Sequence, residues 1–196
     1  MLYLDSDILV SPSSPNLFEI VPSDCLGATV IDHLPPEVAP AVANGWITND
    51  IHQTQKQFGD VNWKKEYFNS GSMLFSKEHI SIFESALKVA KQWHEFPTER
   101  TITEFRVFAD QSLFNYFAKA TGAKIYDIGY SYNHTPAFNT FNHRYLSHFY
   151  HYARLRPHRR GNRIRQMNLD FWVLNHPKLH KFLTNNIWFT KIFDKL

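Results

Sequence analysis

Two aspartates near the start of the chain have the spacing of a cation site. Asp5 and Asp7 are flanked by the apolar runs LYL and ILV, and on an extended chain both carboxylates point to the same side. Two carboxylates at a buried strand end repel each other and lose hydration, and a hard divalent cation with oxygen ligands compensates for both effects. The pattern also fits a strand-end turn with exposed acids, so spacing alone leaves both interpretations open.

Two further short segments carry polar side chains that suit sugar chemistry. In the segment Asn69, Ser70 and Gly71, glycine permits close backbone approach and the asparagine amide can bind hydroxyl groups. Asp110 and Gln111 precede a run of apolar residues with helical spacing, where Asp110 has the alternative role of a plain N-cap. An ordinary turn and a capped helix would explain the two segments without any function.

Positive charge is concentrated in residues 154–165, which contain six arginines and no acidic residue. The chain carries a formal net charge of +3 from 21 Lys and Arg and 18 Asp and Glu, so the remainder is mildly acidic. Arginine clusters bind phosphates, nucleic acid or anionic membrane surfaces, and a solvated loop is the simplest alternative. No nucleic-acid-binding motif accompanies the arginines, so we expect no nucleic-acid partner.

These segments stand in a defined order along the chain. LYLDSDILV is followed by LFEI, YFNSGSMLFS, ADQSLFN, YSYN and HYARLRPH, which together cover roughly residues 1–158. In this order the motifs resemble those of the GT-A-fold glycosyltransferases. The resemblance is greatest to the family 8 retaining enzymes related to glycogenin and lipopolysaccharide galactosyltransferases.

For the metal, the resemblance implies Mn²⁺ or Mg²⁺ as the cofactor, with Asp5, Asp7 and His151 as ligands. An imidazole among oxygen ligands favours Mn²⁺ over Ca²⁺. His148 is the competing assignment, and His151 is preferred because the residues after it fit the family order. A zinc site formed by His143, His148 and His151 is a further alternative, which has neither a cysteine nor a known ligand spacing.

For the donor, the resemblance implies contacts from several segments: Asp5, Ser6, Asn69, Ser70, Gly71 and Arg156. The Asn-Ser-Gly segment is expected to form a tight loop beside the donor sugar. Asp110 would contact the sugar and Gln111 would lie near the anomeric carbon, as the catalytic residues. Gln111 is a poor general base, which suits the family's retaining mechanism. Arg156 replaces the family's lysine and keeps the positive charge for a departing phosphate.

The resemblance implies an enzyme that moves a hexose from a nucleotide sugar, with UDP as the expected nucleotide, to a saccharide or lipid-linked acceptor. The reaction would be metal-dependent and retaining. A non-catalytic remnant or a sugar-binding module of the same fold is the alternative. Only four residues precede Asp5, so we expect the N-terminal nucleotide-binding half of the family's domain to be missing from this chain.

The elements that must position these residues alternate between strands and helices. This alternation predicts an α/β fold of the GT-A, Rossmann-like type, with a mixed sheet flanked by helices. Strands are predicted at 25–31, 123–128 and 145–152, helices at 76–90, 110–122, 169–174 and 177–193, and an irregular region at 34–65. We expect a catalytic domain over residues 1–165 and a C-terminal helical segment over 166–196 that packs on it.

Composition limits the class of protein. The 196 residues are 43% hydrophobic and 16% aromatic, which is enough to build one core, and the single cysteine excludes an internal disulfide. No apolar run approaches the ~20 residues of a membrane span, and no signal peptide is recognised, so a cytoplasmic location is predicted. The C-terminal tail combines lysines with Trp188, Phe189 and Phe193, which suits either a peripheral membrane contact or packing on the domain.

Overall fold

The computed structural model describes residues 1–39, 45–63, 65–95, 109–153 and 160–193. Its strands are β1 (Leu2–Leu4), β2 (Ile8–Val10), β3 (Cys25–Val30), β4 (Phe68–Leu74), β5 (Lys124–Asp127) and β6 (Phe149–His151). Its helices are α1 (Leu17–Ile20), α2 (Trp46–Phe58), α3 (Ile80–Glu95), α4 (Ala109–Ala120), α5 (Arg160–Leu174), α6 (Pro177–Asn185) and α7 (Ile187–Phe193). Short 3₁₀ segments lie at Ile31–His33, Lys77–His79, Tyr130–Tyr132 and Phe141–Leu146.

Four of the strands form a mixed sheet in the order β1-β4-β3-β5. Strands β3 and β5 are parallel, whereas the other neighbours are antiparallel. Strand β2 pairs with β6 in a separate antiparallel ribbon, in which Ile8 lies opposite His151. The parallel pair and the helices around the sheet confirm the predicted α/β class.

Helices cover both faces of the main sheet. Ile82 of α3 and Ala118 of α4 belong to the core cluster that includes Met73 of β4. Leu17 of α1 packs instead in a second cluster with Leu74, the next residue of the same strand. Because successive side chains of a strand point to opposite faces, the two clusters lie on opposite sides of the sheet.

The two aspartates lie in a turn and not on one extended strand, so that part of the prediction is wrong. Strand β1 ends at Leu4 and β2 begins at Ile8, in a different sheet. The backbone N–H of Asp5 donates to the carbonyl of Gly71, and the N–H of Ile8 donates back to the carbonyl of Asp5. The chain therefore leaves the main sheet at the acid turn, residues 5–7, and enters the ribbon.

Two helical predictions also need correction. Helix α2 lies inside the region predicted to be irregular, and its buried residues are Ile47, Asp50, Ile51 and Thr54. Because two of these are polar, the apolar periodicity that signals a helix is weak. Helix α4 begins at Ala109, so Asp110 lies in its first turn and is not the predicted N-cap.

The Asn-Ser-Gly segment, residues 69–71, lies within β4 and does not form the predicted tight loop. The strand is nevertheless irregular there, because Asn69 lies opposite Thr29 while Met73 lies opposite the preceding residue, Ala28. The residues between Asn69 and Met73 thus have no partner on β3. A bulge of this kind redirects side chains, and this one lies beside the acid turn.

The C-terminal helices pack on the 3₁₀ segment at Phe141–Leu146. That segment takes up the first part of the strand predicted at 145–152, so only β6 remains extended. The boundary predicted after residue 165 falls within α5, and the division into two segments stays a prediction. None of the helices in the described ranges is both long and apolar enough to cross a bilayer.

Candidate metal and donor site

Asp5, Asp7 and His151 converge where the chain crosses from β1 to β2. The Nε2 atom of His151 lies 3.4 Å from Asp5 Oδ2 and 3.3 Å from Asp7 Oδ1. One ligand atom from each residue lies within 4.8 Å of the others, and among the described residues no other group of three His, Cys, Asp or Glu does this. The pairing of Ile8 with His151 produces the cluster, because it places the acid turn beside β6.

A hydrogen-bonded chain fixes the orientation of the His151 ring. The Oδ1 atom of Asn69 accepts from the Asn133 amide at 2.6 Å, and the Asn133 Oδ1 atom lies 2.7 Å from His151 Nδ1. Since an amide oxygen only accepts, Nδ1 carries a proton, and Nε2 of the neutral ring presents its lone pair to the two carboxylates. These groups repel one another unless a cation lies among them or Nε2 takes up a second proton, which it then donates to the carboxylates. A histidine held in this way by a second partner is typical of metal sites.

The same contacts shift two pKa values. Burial by itself lowers the pKa of His151, but the hydrogen bonds and charges of Asp5 and Asp7 outweigh burial and raise it. The hydrogen bond from His151 is the largest cause of the lowered pKa of Asp7; burial opposes it and the charge of Arg163 adds to it. Two carboxylates and one imidazole form a donor set that Mn²⁺ or Mg²⁺ fits.

A cavity of about 200 Å³ opens beside this cluster. It is lined by seven of the residues predicted for the site: Asp5, Asp7, Asn69, Ser70, Asp110, Gln111 and His151. Ile31, Trp46 and Phe138 supply apolar walls. A few polar groups converging on an apolar cavity are the usual composition of a small-ligand site.

Two of the predicted residues do not line the cavity, and a third is outside the described residues. Ser6 is exposed in the acid turn and does not line the cavity. Gly71 does not line it either, but a Cβ at this position would lie only 2.3 Å from His151 Cε1, so the close approach requires glycine. Arg156 lies outside the described residues, and its phosphate contact stays a prediction.

Gln111 is held at the start of α4 facing the bulge in β4. Its side chain is buried, and its Oε1 accepts from the backbone N–H of Ser70 at 3.4 Å. The neighbouring Asp110 is exposed at the cavity wall. The structure thus brings both predicted catalytic residues to the cavity that adjoins the metal cluster.

Sequence reasoning missed a buried carboxylate that supports this arrangement. Asp50 of α2 accepts from Ser112 Oγ at 2.8 Å and from the Tyr67 hydroxyl at 2.6 Å. Ser112 follows Gln111, and Tyr67 precedes β4, so Asp50 joins three elements that border the cavity. Burial raises the pKa of Asp50, although the two hydroxyl donors oppose this shift. No local sequence pattern identifies Asp50, because the hydroxyl groups that donate to it come from distant parts of the chain.

His148 does not join the cluster. Its ring packs on Tyr132 with the centroids 4.6 Å apart, and burial lowers its pKa. Residues three apart on an extended chain point to opposite sides, so His148 and His151 cannot both face the acid turn. The geometry favours His151 over His148 as the candidate ligand.

Comparison with known proteins gives one match. No curated protein matches the chain, and no solved structure matches it. The family model described as glycosyl transferase family 8 matches residues 1–155, a range that contains the acid turn, the bulge in β4, Gln111 and His151. The match covers well over half of the sequence, and the chain therefore belongs to glycosyl transferase family 8.

Proposed function

We propose that the protein transfers a hexose from a nucleotide sugar, with UDP as the nucleotide, to a hydroxyl group of a saccharide or lipid-linked acceptor. Membership of the family supports glycosyl transfer in general. One observation carries the finer proposal: Asp5, Asp7 and His151 converge beside a cavity that also contains Gln111.

In this proposal Asp5, Asp7 and His151 hold Mn²⁺ or Mg²⁺. When bound, such an ion supplies electrostatic stabilisation to the charge that develops on the leaving diphosphate. Both aspartates are already fixed by their backbones, since Asp5 N–H donates to Gly71 and the Asp7 carbonyl accepts from Tyr152. The backbone of the acid turn then needs little reorganisation when the two carboxylates bind one cation.

The cavity suits a single sugar ring. Its volume of about 200 Å³ is below the ~300–1,000 Å³ typical of sites that enclose a drug-sized ligand, so a whole nucleotide sugar does not fit inside it. Asn69 and Ser70 offer polar groups for sugar hydroxyls, and Gln111 lies beside them, where its Oε1 accepts from the Ser70 N–H.

The proposed transfer proceeds with retention of the anomeric configuration. The bond from the anomeric carbon to the diphosphate oxygen breaks, a bond to the acceptor oxygen forms, and the acceptor's proton passes to the diphosphate. The amide of Gln111 has no proton equilibrium near neutral pH, so its role is to position the sugar and not to take the proton. No protein base is required in this proposal, because an oxygen of the leaving diphosphate accepts the proton.

The first test is binding of Mn²⁺ alone. We expect one Mn²⁺ per chain by isothermal titration calorimetry, and a loss of affinity of at least about tenfold in Asp7→Asn, because the amide removes a charged ligand but keeps the shape. Asp24→Asn makes the same chemical change at an exposed residue that pairs with Lys124, and should leave the affinity unchanged.

Turnover of UDP-hexose separates the enzyme from the alternative of a sugar-binding module. We expect release of UDP that requires Mn²⁺ and is lost in Asp7→Asn. Mn²⁺-dependent binding of UDP-hexose without release of UDP would favour the binding module. Equal Mn²⁺ affinity in the parent and in Asp7→Asn would contradict the proposed metal site.

We also propose that the C-terminal helices rest on an anionic membrane surface and bring a lipid-linked acceptor to the site. Phe182, Trp188 and Phe189 are all exposed, and Phe189 lies 5.2 Å from each of the other two rings. Lys178 and Lys181 of α6 are exposed as well. Interfacial aromatic rings accompanied by lysines are typical of peripheral membrane contacts.

Vesicle sedimentation tests this contact. We expect the protein to sediment with vesicles of phosphatidylcholine and phosphatidylglycerol, and the double variant Trp188→Ala, Phe189→Ala to lose about tenfold or more in partitioning, because two interfacial rings are removed. Phe18→Ala, at an exposed aromatic residue of α1, should sediment like the parent. Parent protein that stays in the supernatant with these vesicles contradicts the proposal.

A further inference from the structure

An arginine from the C-terminal half of the chain reaches the candidate metal ligands. The Nη1 atom of Arg163, in α5, lies 3.0 Å from Asp7 Oδ2. Its side chain is about one-third exposed, whereas that of Asp7 is mostly covered. Arg163 lies beyond the residues that match the family model, so neither the family motifs nor the metal proposal gives it a role.

Asp7 divides its two oxygens between different partners. Oδ1 faces His151 Nε2 at 3.3 Å, while Oδ2 is held by Arg163. A cation that binds Asp7 must therefore share this carboxylate with a guanidinium of like charge. At such short range the repulsion between the two cations is large, because the site is partly shielded from water.

The ion pair of Arg163 leaves one of its donors unsatisfied. Its Nε atom is buried and has no hydrogen-bond partner among the described residues. A buried donor without a partner weakens the arrangement that contains it. A divalent cation that binds Asp7 more strongly can therefore displace the guanidinium from this contact.

We propose that Arg163 competes with the divalent cation for Asp7 and so sets the metal affinity of the site. This inference rests on the proposed metal site and assigns a second function to the same carboxylate. Binding of the ion would release Arg163 from Asp7 Oδ2, so occupation of the site and the position of the first turn of α5 are linked.

The test measures Mn²⁺ affinity in two variants of Arg163. Arg163→Gln removes the charge but keeps a polar, shorter side chain, and we expect it to bind Mn²⁺ about tenfold more tightly, since one competing cation is gone. Arg163→Lys keeps the charge and should stay close to the parent. Arg165→Gln removes an exposed charge two residues further along the same helix, and controls for the net charge of the protein.

A second measurement uses thermal unfolding. In the presence of a chelator, Arg163→Gln should melt below the parent, because Asp7 Oδ2 loses its charged partner. In saturating Mn²⁺ the difference should shrink or reverse, because the ion then compensates Asp7 in both proteins.

The outcomes separate this inference from the proposed function. If the parent binds Mn²⁺ and Asp7→Asn weakens binding, but Arg163→Gln binds equally or more weakly, the competition is wrong and the metal site stands. If the parent binds no Mn²⁺, or Asp7→Asn has no effect, the metal site fails and the role of Arg163 fails with it. An equal gain of affinity in Arg165→Gln would show a general charge effect and also contradict the inference.

Discussion

Asp170→Asn is expected to destabilise the protein by about 3–5 kcal/mol, the usual effect of leaving one member of a buried ion pair without its partner. The side chains of Asp170 in α5 and Arg144 are both fully buried. Asp170 accepts from Arg144 at 2.7 and 2.8 Å, and from the hydroxyls of Tyr145 at 2.6 Å and Tyr152 at 2.5 Å. An asparagine offers one acceptor oxygen and turns its amide donors toward groups that also donate.

Chemical and thermal unfolding measure this effect. For a chain of this size a loss of 3–5 kcal/mol corresponds to a fall in Tm of roughly 6–20 °C, at about 2–4 °C per kcal/mol. Asp24→Asn breaks an exposed pair with Lys124 and should change the Tm little. Tyr152→Phe removes one donor but keeps the ion pair, and should fall between the two. A Tm for Asp170→Asn equal to that of Asp24→Asn would show that the buried pair contributes little.

The second large effect is expected from Gly71→Ala, which places a methyl group against a candidate metal ligand. The new Cβ would lie 2.3 Å from His151 Cε1 and 2.5 Å from His151 Nδ1. The ring has little freedom to retreat, since it is 3% exposed and its Nδ1 is bound to Asn133. We expect a fall in Mn²⁺ affinity of about tenfold to a hundredfold and a destabilisation of about 1–3 kcal/mol.

Two controls show whether the clash with His151 is the cause. Gly27→Ala places a Cβ 2.7 Å from Val21 in the core, away from the metal cluster, and should lower stability without lowering Mn²⁺ affinity. In a His151→Ala background the ring is absent, so the stability cost of Gly71→Ala should largely disappear. If the two substitutions are additive, the methyl group does not act through the ring.

The residues of the site could be predicted from the sequence more completely than their arrangement in space. Asp5, Asp7 and His151 are identified by their motifs, and the structure brings them together through the pairing of Ile8 with His151. That pairing joins residues far apart in the chain, and hydrophobic patterns carry no information about register at such distances. The turn at residues 5–7 forms because β1 pairs with β4 and β2 pairs with β6, and both partners are distant in the chain.

The remaining differences between prediction and structure arise where long-range contacts override local residue preferences or leave no local pattern. The residue types in Asn69, Ser70 and Gly71 favour a turn. The segment nevertheless stays in β4, with a bulge, because Asn69 pairs with Thr29 of β3 and the Gly71 carbonyl accepts from Asp5. Helix α2 is hidden because it buries Asp50 among its core residues. Arg163 is visible only as one of six arginines in its segment, and nothing in the spacing marks it as a partner of Asp7.

The crossing of the chain at the acid turn has a consequence for cooperativity. Asp5 is bonded to Gly71 in the four-stranded sheet, while Asp7 is bonded to Tyr152 directly after the ribbon strand β6. In the proposed metal site, a cation held by both aspartates would join the main sheet to the ribbon, and its binding free energy would add to the cost of parting them. If the proposed site binds the metal, the cohesion of the two sheets would rise with the concentration of that ion.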